Sequence, residues 1–141
     1  MRRSVDKLLY VVNLIFVNQA ERGRRSLRVD APERDQTCLD AAGKAWPCGQ
    51  AAARQLRDQV RGRDLSCAPR AKDRHQRVLA VCSLPDGSDL NAWMVRQGWA
   101  LASGFVKIYG DEEAEAEAQK RGMWAGIFDP PWKWRQQHKP K

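Results

Sequence analysis

The stretch Leu65-Ser-Cys67-Ala-Pro-Arg-Ala-Lys72-Asp-Arg-His-Gln-Arg77-Val-Leu-Ala-Val-Cys82-Ser83 places two cysteines at equal distances from a polar centre. This pattern predicts a β-hairpin with strands Leu65–Ala68 and Val78–Ser83 around a loop of residues 73–76. With that loop, Lys72 pairs with Arg77, and counting outwards places Cys67 directly opposite Cys82. Directly opposed residues have Cα atoms about 4.5–5.5 Å apart, within reach of a disulfide. We therefore predict a disulfide between Cys67 and Cys82.

The other two of the four cysteines, Cys38 and Cys48, would close a short loop. No pair has the C-x-x-C spacing of a structural zinc site, so zinc binding is disfavoured. Two disulfides form and persist in oxidising compartments. The cysteines therefore predict an exported protein, either secreted or periplasmic.

Length and charge narrow the class of protein. The chain has 141 residues, which suits one domain, and no apolar stretch is long enough to span a membrane. Lys and Arg total 25 against 17 Asp and Glu, for a net charge of +8. Segment 111–121 carries five acids and two bases, which leaves +11 on the rest of the chain. Such a basic body suits a phosphate-rich partner such as nucleic acid.

Residues 1–20 have two interpretations that the sequence leaves open. Basic residues precede an apolar run, Leu8 to Val17, as in a signal peptide, but Asn13 interrupts the run. The same residues also fit one or two β-branched strands. We assign residues 21–135 to the domain and residues 136–141 to a basic tail.

The remaining elements indicate an α+β domain. Residues 34–48 are interpreted as a surface loop and residues 123–141 as irregular. The paired tryptophans Trp132 and Trp134 alternate with bases, which would suit stacking on nucleic-acid bases, but closing the core is the favoured role. Helices are predicted over Gln50–Arg61, Leu90–Gln97 and Asp111–Arg121, with short strands at Arg24–Val29 and Trp99–Ala102.

Few residues offer catalytic chemistry. The chain has only two histidines, and it lacks a Gly-rich phosphate loop and a G-x-S-x-G motif. What remains are the carboxylates Asp30 and Glu33 and the guanidinium groups of Arg25 and Arg77. Phosphodiester hydrolysis needs a hard cation held by carboxylates, a carboxylate that acts on water, and guanidinium groups on the phosphate.

Four stretches occur in order along the chain. They are Arg25-Ser-Leu-Arg-Val-Asp30-Ala-Pro-Glu33, Asp73-Arg-His-Gln-Arg77-Val-Leu-Ala80, Asp89-Leu-Asn-Ala-Trp-Met-Val-Arg-Gln-Gly-Trp-Ala100, and Gly122-Met-Trp-Ala-Gly with Pro130-Pro-Trp132. Together they resemble the motifs of the staphylococcal nuclease-like (thermonuclease) family over residues 25–135. The resemblance implies a five-stranded OB-fold β-barrel with three helices, whose first strands are degenerate here if residues 1–20 form them.

The resemblance also implies calcium-dependent cleavage of DNA and RNA. Carried over by motif, Asp30 would be a Ca²⁺ ligand through its carboxylate and Ala31 through its backbone carbonyl. Glu33 would act on the attacking water. Arg25 and Arg77 would bind the scissile phosphate and stabilise its transition state.

One departure from the family's pattern bears on activity. The family's Asp-Gly-Asp-Thr segment supplies another metal carboxylate, but here no acid lies between Asp6 and Glu21. We therefore expect a nuclease whose activity is weak or lost, acting as a monomer without a membrane span. The alternatives are a non-catalytic nucleic-acid-binding OB-fold module and an exported accessory domain with no nucleic-acid role.

Overall fold

A computed structural model describes residues 29–72, 78–104 and 106–139. Arg25, Arg77 and the whole of residues 1–20 lie outside these ranges. The predictions made for them, including the arginine roles and the first strands, therefore have no structural counterpart below.

The described strands form three two-stranded antiparallel sheets. They pair β1 (Val29–Asp30) with β6 (Leu101–Ala102), β2 (Cys38–Leu39) with β3 (Ala45–Trp46), and β4 (Ser66–Lys72) with β5 (Val78–Ser83). Within the described ranges these pairs do not close into a barrel, so the five-stranded OB-fold stays a prediction. The α+β class is confirmed by the alternation of strands and helices.

The β4–β5 hairpin brings Cys67 opposite Cys82, as predicted, with their Cα atoms 4.0 Å apart and a disulfide between them. The predicted partner of Lys72 is wrong: Lys72 pairs with Val78 rather than with Arg77. An irregularity between Pro69 and Ala71 shifts the register by one residue. Because this bulge lies between the loop and the cysteines, it restores the predicted pairing at the disulfide.

Four α-helices occur in the described ranges, one more than predicted. They are α1 (Cys48–Val60), α2 (Leu90–Arg96), α3 (Gly110–Ala118) and α4 (Pro131–Gln137), with a 3-10 helix at Gly122–Ala125. The interpretation of residues 123–141 as irregular is therefore wrong. Proline pairs usually end helices, but Pro131 is the first residue of α4, where the missing N–H would have had no intrahelical partner.

The main core lies between α1, α2 and the β4–β5 hairpin. Its fully buried side chains include Leu56 of α1 with Leu90 and Met94 of α2. Asp89 caps α2 by accepting the N–H groups of Asn91 and Ala92 at 2.8 and 3.3 Å. The expected α1 face, Ala52, Ala53, Leu56 and Val60, is buried.

A second, smaller cluster corrects the interpretation of residues 34–48 as a surface loop. This segment holds the β2–β3 hairpin, and a disulfide joins Cys38 to Cys48, both buried against Met123. Neither strand exceeds two residues, which is too short for an alternating pattern to register. The disulfide therefore fastens the start of α1 to the segment that follows Glu33.

Candidate active site

The predicted metal ligand Asp30 ends strand β1. The β1–β6 pairing, which sets Asp30 opposite Leu101, holds its backbone, and its side chain is almost completely buried. The next residue, Ala31, has no exposed surface. A buried carboxylate requires partners, and those of Asp30 come from α4, about a hundred positions later in the chain.

Arg135 of α4 joins the two predicted acids. Its Nη1 lies 3.0 Å from Oδ1 of Asp30 and 3.2 Å from Oε1 of Glu33. The other carboxylate oxygen of Asp30, Oδ2, accepts the backbone N–H of Trp132 at 3.2 Å. The carboxylates of Asp30 and Glu33 thus both contact the same guanidinium nitrogen of Arg135. We call Asp30 and Glu33 the acid pair.

A tight turn after Pro32 presents Glu33, and the buried side chain of Gln36 organises this turn. The Glu33 N–H donates to Gln36 Oε1 at 3.2 Å, and the Gln36 N–H donates back to the Glu33 carbonyl at 2.9 Å. Gln36 Nε2 donates in turn to the carbonyl of Asp129 at 2.9 Å. One amide thus connects the Glu33 turn to the segment that leads into α4.

Helix α1 supports the same turn from behind. The Gly49 N–H donates to the Gln36 carbonyl at 3.1 Å, and a Cβ at Gly49 would overlap the Glu33 carbonyl oxygen. Only glycine therefore allows this approach. The neighbouring Cys38–Cys48 disulfide cross-links the first turn of α1 to strand β2. The backbone around Glu33 is therefore packed against a cross-linked part of the fold.

Burial and charge act in opposite directions on the acid pair. Burial raises the pKa of Asp30 above its ordinary value, and the hydrogen bond and positive charge of Arg135 offset part of that rise. Burial likewise raises the pKa of Glu33, again partly offset by Arg135. A carboxylate with a raised pKa accepts a proton from water more readily than an exposed one.

The donors at this place match a hard cation in kind but not in number. Ca²⁺ takes about six to eight oxygen ligands, and the carboxylate of Asp30 and the carbonyl of the fully buried Ala31 are oxygen ligands of the right kind. Over the described ranges, however, no group of three or more acidic, His or Cys side chains is placed to hold a metal ion. Arg135 also shares Asp30 Oδ1. These residues fit a calcium ion only as part of a larger ligand set.

The structure therefore groups Asp30, Ala31 and Glu33 at one place, while the predicted roles of Arg25 and Arg77 remain untested. Sequence reasoning missed Arg135 and Gln36. The one indication of Arg135 in the sequence was its position three residues after Trp132. It lies within the stretch that resembles the family but outside the quoted motif. Gln36 gave no signal, since a lone glutamine in a polar segment is ordinarily a solvated residue.

One family model and proteins named as endonucleases match the chain. Residues 25–126 match the family model described as Staphylococcal nuclease homologue. The chain is 33% identical to an uncharacterized endonuclease of Haemophilus influenzae, over 84% of this chain and 65% of that protein. An uncharacterized endonuclease of Escherichia coli is 30% identical over 79% of this chain and 69% of its own length.

A further relative has a name of another kind. The succinoglycan biosynthesis protein ExoI of Rhizobium meliloti is 31% identical over 68% of this chain. The matched region covers 52% of that protein. Across these three relatives, the chain spans about half to two thirds of their length. None of the helices in the described ranges is long and apolar enough to cross a membrane.

Proposed function

The chain belongs to the staphylococcal nuclease homologue family, and from that premise we propose that it hydrolyses phosphodiester bonds of DNA or RNA in a calcium-dependent reaction. The observation that carries the proposal is the meeting of Asp30 and Glu33 at one nitrogen of Arg135. It sets a carboxylate suited to a hard cation beside one suited to a proton transfer.

Each residue of the acid pair has a separate task in this proposal. Glu33 is less buried than Asp30 and accepts a proton from the attacking water, a role that its raised pKa favours. The Asp30 carboxylate and the Ala31 carbonyl would hold the calcium ion, which when bound supplies positive charge to a phosphate oxygen. Arg25 and Arg77 neutralise charge on the phosphate as the transition state forms.

We further infer that the activity is weak. Arg135 takes up part of the bonding capacity of Asp30, and the described ligands are too few to complete a calcium shell. A cation entering this place has to share Asp30 with a guanidinium group of the same sign. Calcium concentrations well above those of a high-affinity site are therefore needed for half-maximal activity.

The test is release of acid-soluble nucleotides from DNA and RNA, measured against calcium concentration. Glu33→Gln and Arg77→Ala should each lower the rate about a hundred- to thousandfold. Their matched controls are Glu117→Gln, an exposed acid of α3, and Arg54→Ala, an exposed arginine of α1. Cleavage that survives a calcium chelator, or that Glu33→Gln leaves intact, would contradict the proposal.

The bond between Arg135 and the acid pair also favours a second candidate, a nucleic-acid-binding module without catalysis. Arg135 offsets part of the negative charge of the two acids, and the chain as a whole, at +8, is basic enough to approach phosphates. Salt-sensitive binding of single strands with no cleavage at any calcium concentration would support this candidate.

We also propose that the protein is exported, either secreted or periplasmic. The support is the two disulfides, Cys38–Cys48 and Cys67–Cys82, which leave no free cysteine. Mass spectrometry of non-reduced protein from its native source should identify both cross-links. Four free thiols in that material would remove the argument for an oxidising compartment.

A further inference from the structure

The tryptophans of α4 do not perform the structural role that the sequence favoured. Trp132 is 53% exposed, and Trp134 is only half-buried. Neither belongs to the two buried clusters of the described residues. The ring of Trp134 stacks on His138 instead, with centroids 3.9 Å apart and planes at 12°. Packing of the core therefore does not account for Trp132.

The position of Trp132 is tied to the acid pair. Its backbone N–H bonds to Asp30 Oδ2, and Arg135, one helical turn later, bonds to both acids. The exposed indole therefore belongs to the same residue whose backbone nitrogen contacts Asp30, and its ring begins two bonds from the Cα atom. A phosphate at the acid pair would have its attached nucleotide, or the next one, within reach of this ring.

The charges around the indole suit a nucleic-acid strand. Lys133 and Lys139, which flank the Trp134–His138 pair in the sequence, are both exposed, and the chain as a whole carries +8. Lys133 pairs with Asp129 at 3.2 Å, but both side chains remain well exposed, so solvent screens this pair. Exposed aromatic side chains that stack on bases, together with basic side chains that attract phosphates, are the combination with which proteins bind single strands.

We propose that α4 provides a base-stacking subsite, in which the indole of Trp132 stacks on an unpaired base next to the phosphate bound at the acid pair. This inference rests on the proposed function, since it takes the acid pair as the phosphate end of the same strand. The base is unpaired because, inside a duplex, the adjacent base pairs cover both faces of each base. Any base serves, since every base has a π-face.

The test compares two fluorescein-labelled single strands, an oligothymidylate and a strand of the same length in which the bases are replaced by abasic sites. Both carry the same phosphates, so a difference in affinity measures the bases alone. Binding is followed by fluorescence anisotropy at low salt in the presence of calcium, with Glu33→Gln in every protein compared so that the strands stay intact. The protein that keeps Trp132, called wild type at this position, should bind the oligothymidylate about tenfold or more tightly than the abasic strand.

Two substitutions assign that preference to the ring. Trp132→Leu keeps apolar bulk but no aromatic face and should bind both strands equally, whereas Trp132→Phe should retain most of the preference. The hydrogen bond to Asp30 is donated by the backbone N–H of residue 132, so both variants keep it. Urea unfolding midpoints equal to that of the wild type confirm that both variants fold. Cleavage of the oligothymidylate in calcium, measured separately, reports on the proposed function.

Every outcome of the binding comparison either supports or overturns the stacking subsite. A preference for bases that Trp132→Leu abolishes supports the subsite. Equal binding of both strands by wild type, or a preference that Trp132→Leu retains, overturns the subsite while leaving the nuclease proposal intact. Absence of binding to either strand at low salt overturns both.

Discussion

Replacing Arg135 with glutamine removes the guanidinium group from between two acids. The side chains of Arg135, Asp30 and Glu33 are 28%, 8% and 23% exposed, so water replaces the lost contacts only partly. A hydrogen bond to a charged group contributes about 1.5–3 kcal/mol, and removing one member of a buried pair costs about 3–5 kcal/mol. Since Asp30 keeps the Trp132 N–H, we expect Arg135→Gln to lower the free energy of unfolding by about 2–3 kcal/mol.

Urea unfolding and thermal unfolding measure this loss. At about 3 °C per kcal/mol for a chain of this size, Tm should fall by about 6–9 °C. The matched control is Lys133→Gln on the same helix, which breaks the exposed pair with Asp129. That pair lies at 3.2 Å with side chains 49% and 41% exposed, so its loss should change stability by less than about 0.5 kcal/mol.

A double-mutant cycle separates the pair from general damage to α4. Asp30→Asn removes the charge that Arg135 faces, so the double variant should be more stable than the sum of the single losses predicts, by about 1 kcal/mol or more. Effects that add to within about 0.5 kcal/mol would refute the coupling. A loss from Arg135→Gln as small as that from Lys133→Gln would refute the burial argument itself.

Three further predictions concern other parts of the fold. Gly49→Ala should destabilise the protein by about 1–3 kcal/mol in urea and lower nuclease activity, because the new methyl displaces the Glu33 carbonyl; unchanged activity would contradict this support. Asp89→Ala should lose about 1–2 kcal/mol and Asp89→Asn less, because asparagine keeps an oxygen for the helix cap; Asp89 Oδ2 also accepts the Tyr109 hydroxyl, so Tyr109→Phe is the control, and equal losses beside a near-neutral Tyr109→Phe would count against capping. The Ser88 hydroxyl and N–H lower the pKa of Asp86, so this turn adds stability above the ordinary pKa of an aspartate and loses it as pH falls through the lowered value. Ser88→Ala should raise that pKa in an NMR titration, and an unmoved titration would exclude the hydroxyl as its cause.

Local patterns predicted the parts of the fold whose partners lie close in sequence. Helix α1 followed from its apolar face and Gly62, and the cap of α2 from Asp89. The Cys67–Cys82 disulfide followed from symmetry about a turn, although the bulge at residues 69–71 altered the inner register. Each of these features depends on neighbours within about fifteen positions.

The remaining features depend on contacts over much longer separations. Gln36 reaches Asp129 across 93 positions, and Arg135 reaches Asp30 across 105. No periodicity along one strand or helix records such a pairing. The resemblance grouped Asp30 with Glu33 by motif, but it could not show that a cation of the chain itself lies between them.

The separation of Arg135 from Asp30 by 105 positions sets an order of events during protein synthesis. A growing chain carries both acids, all four cysteines and the whole of α1 long before the ribosome adds the arginine. Pairings this distant along a polypeptide form slowly, because a large loop must close first. Until α4 has been made and has docked, Asp30 and Glu33 therefore lack the guanidinium group that both contact in the folded protein.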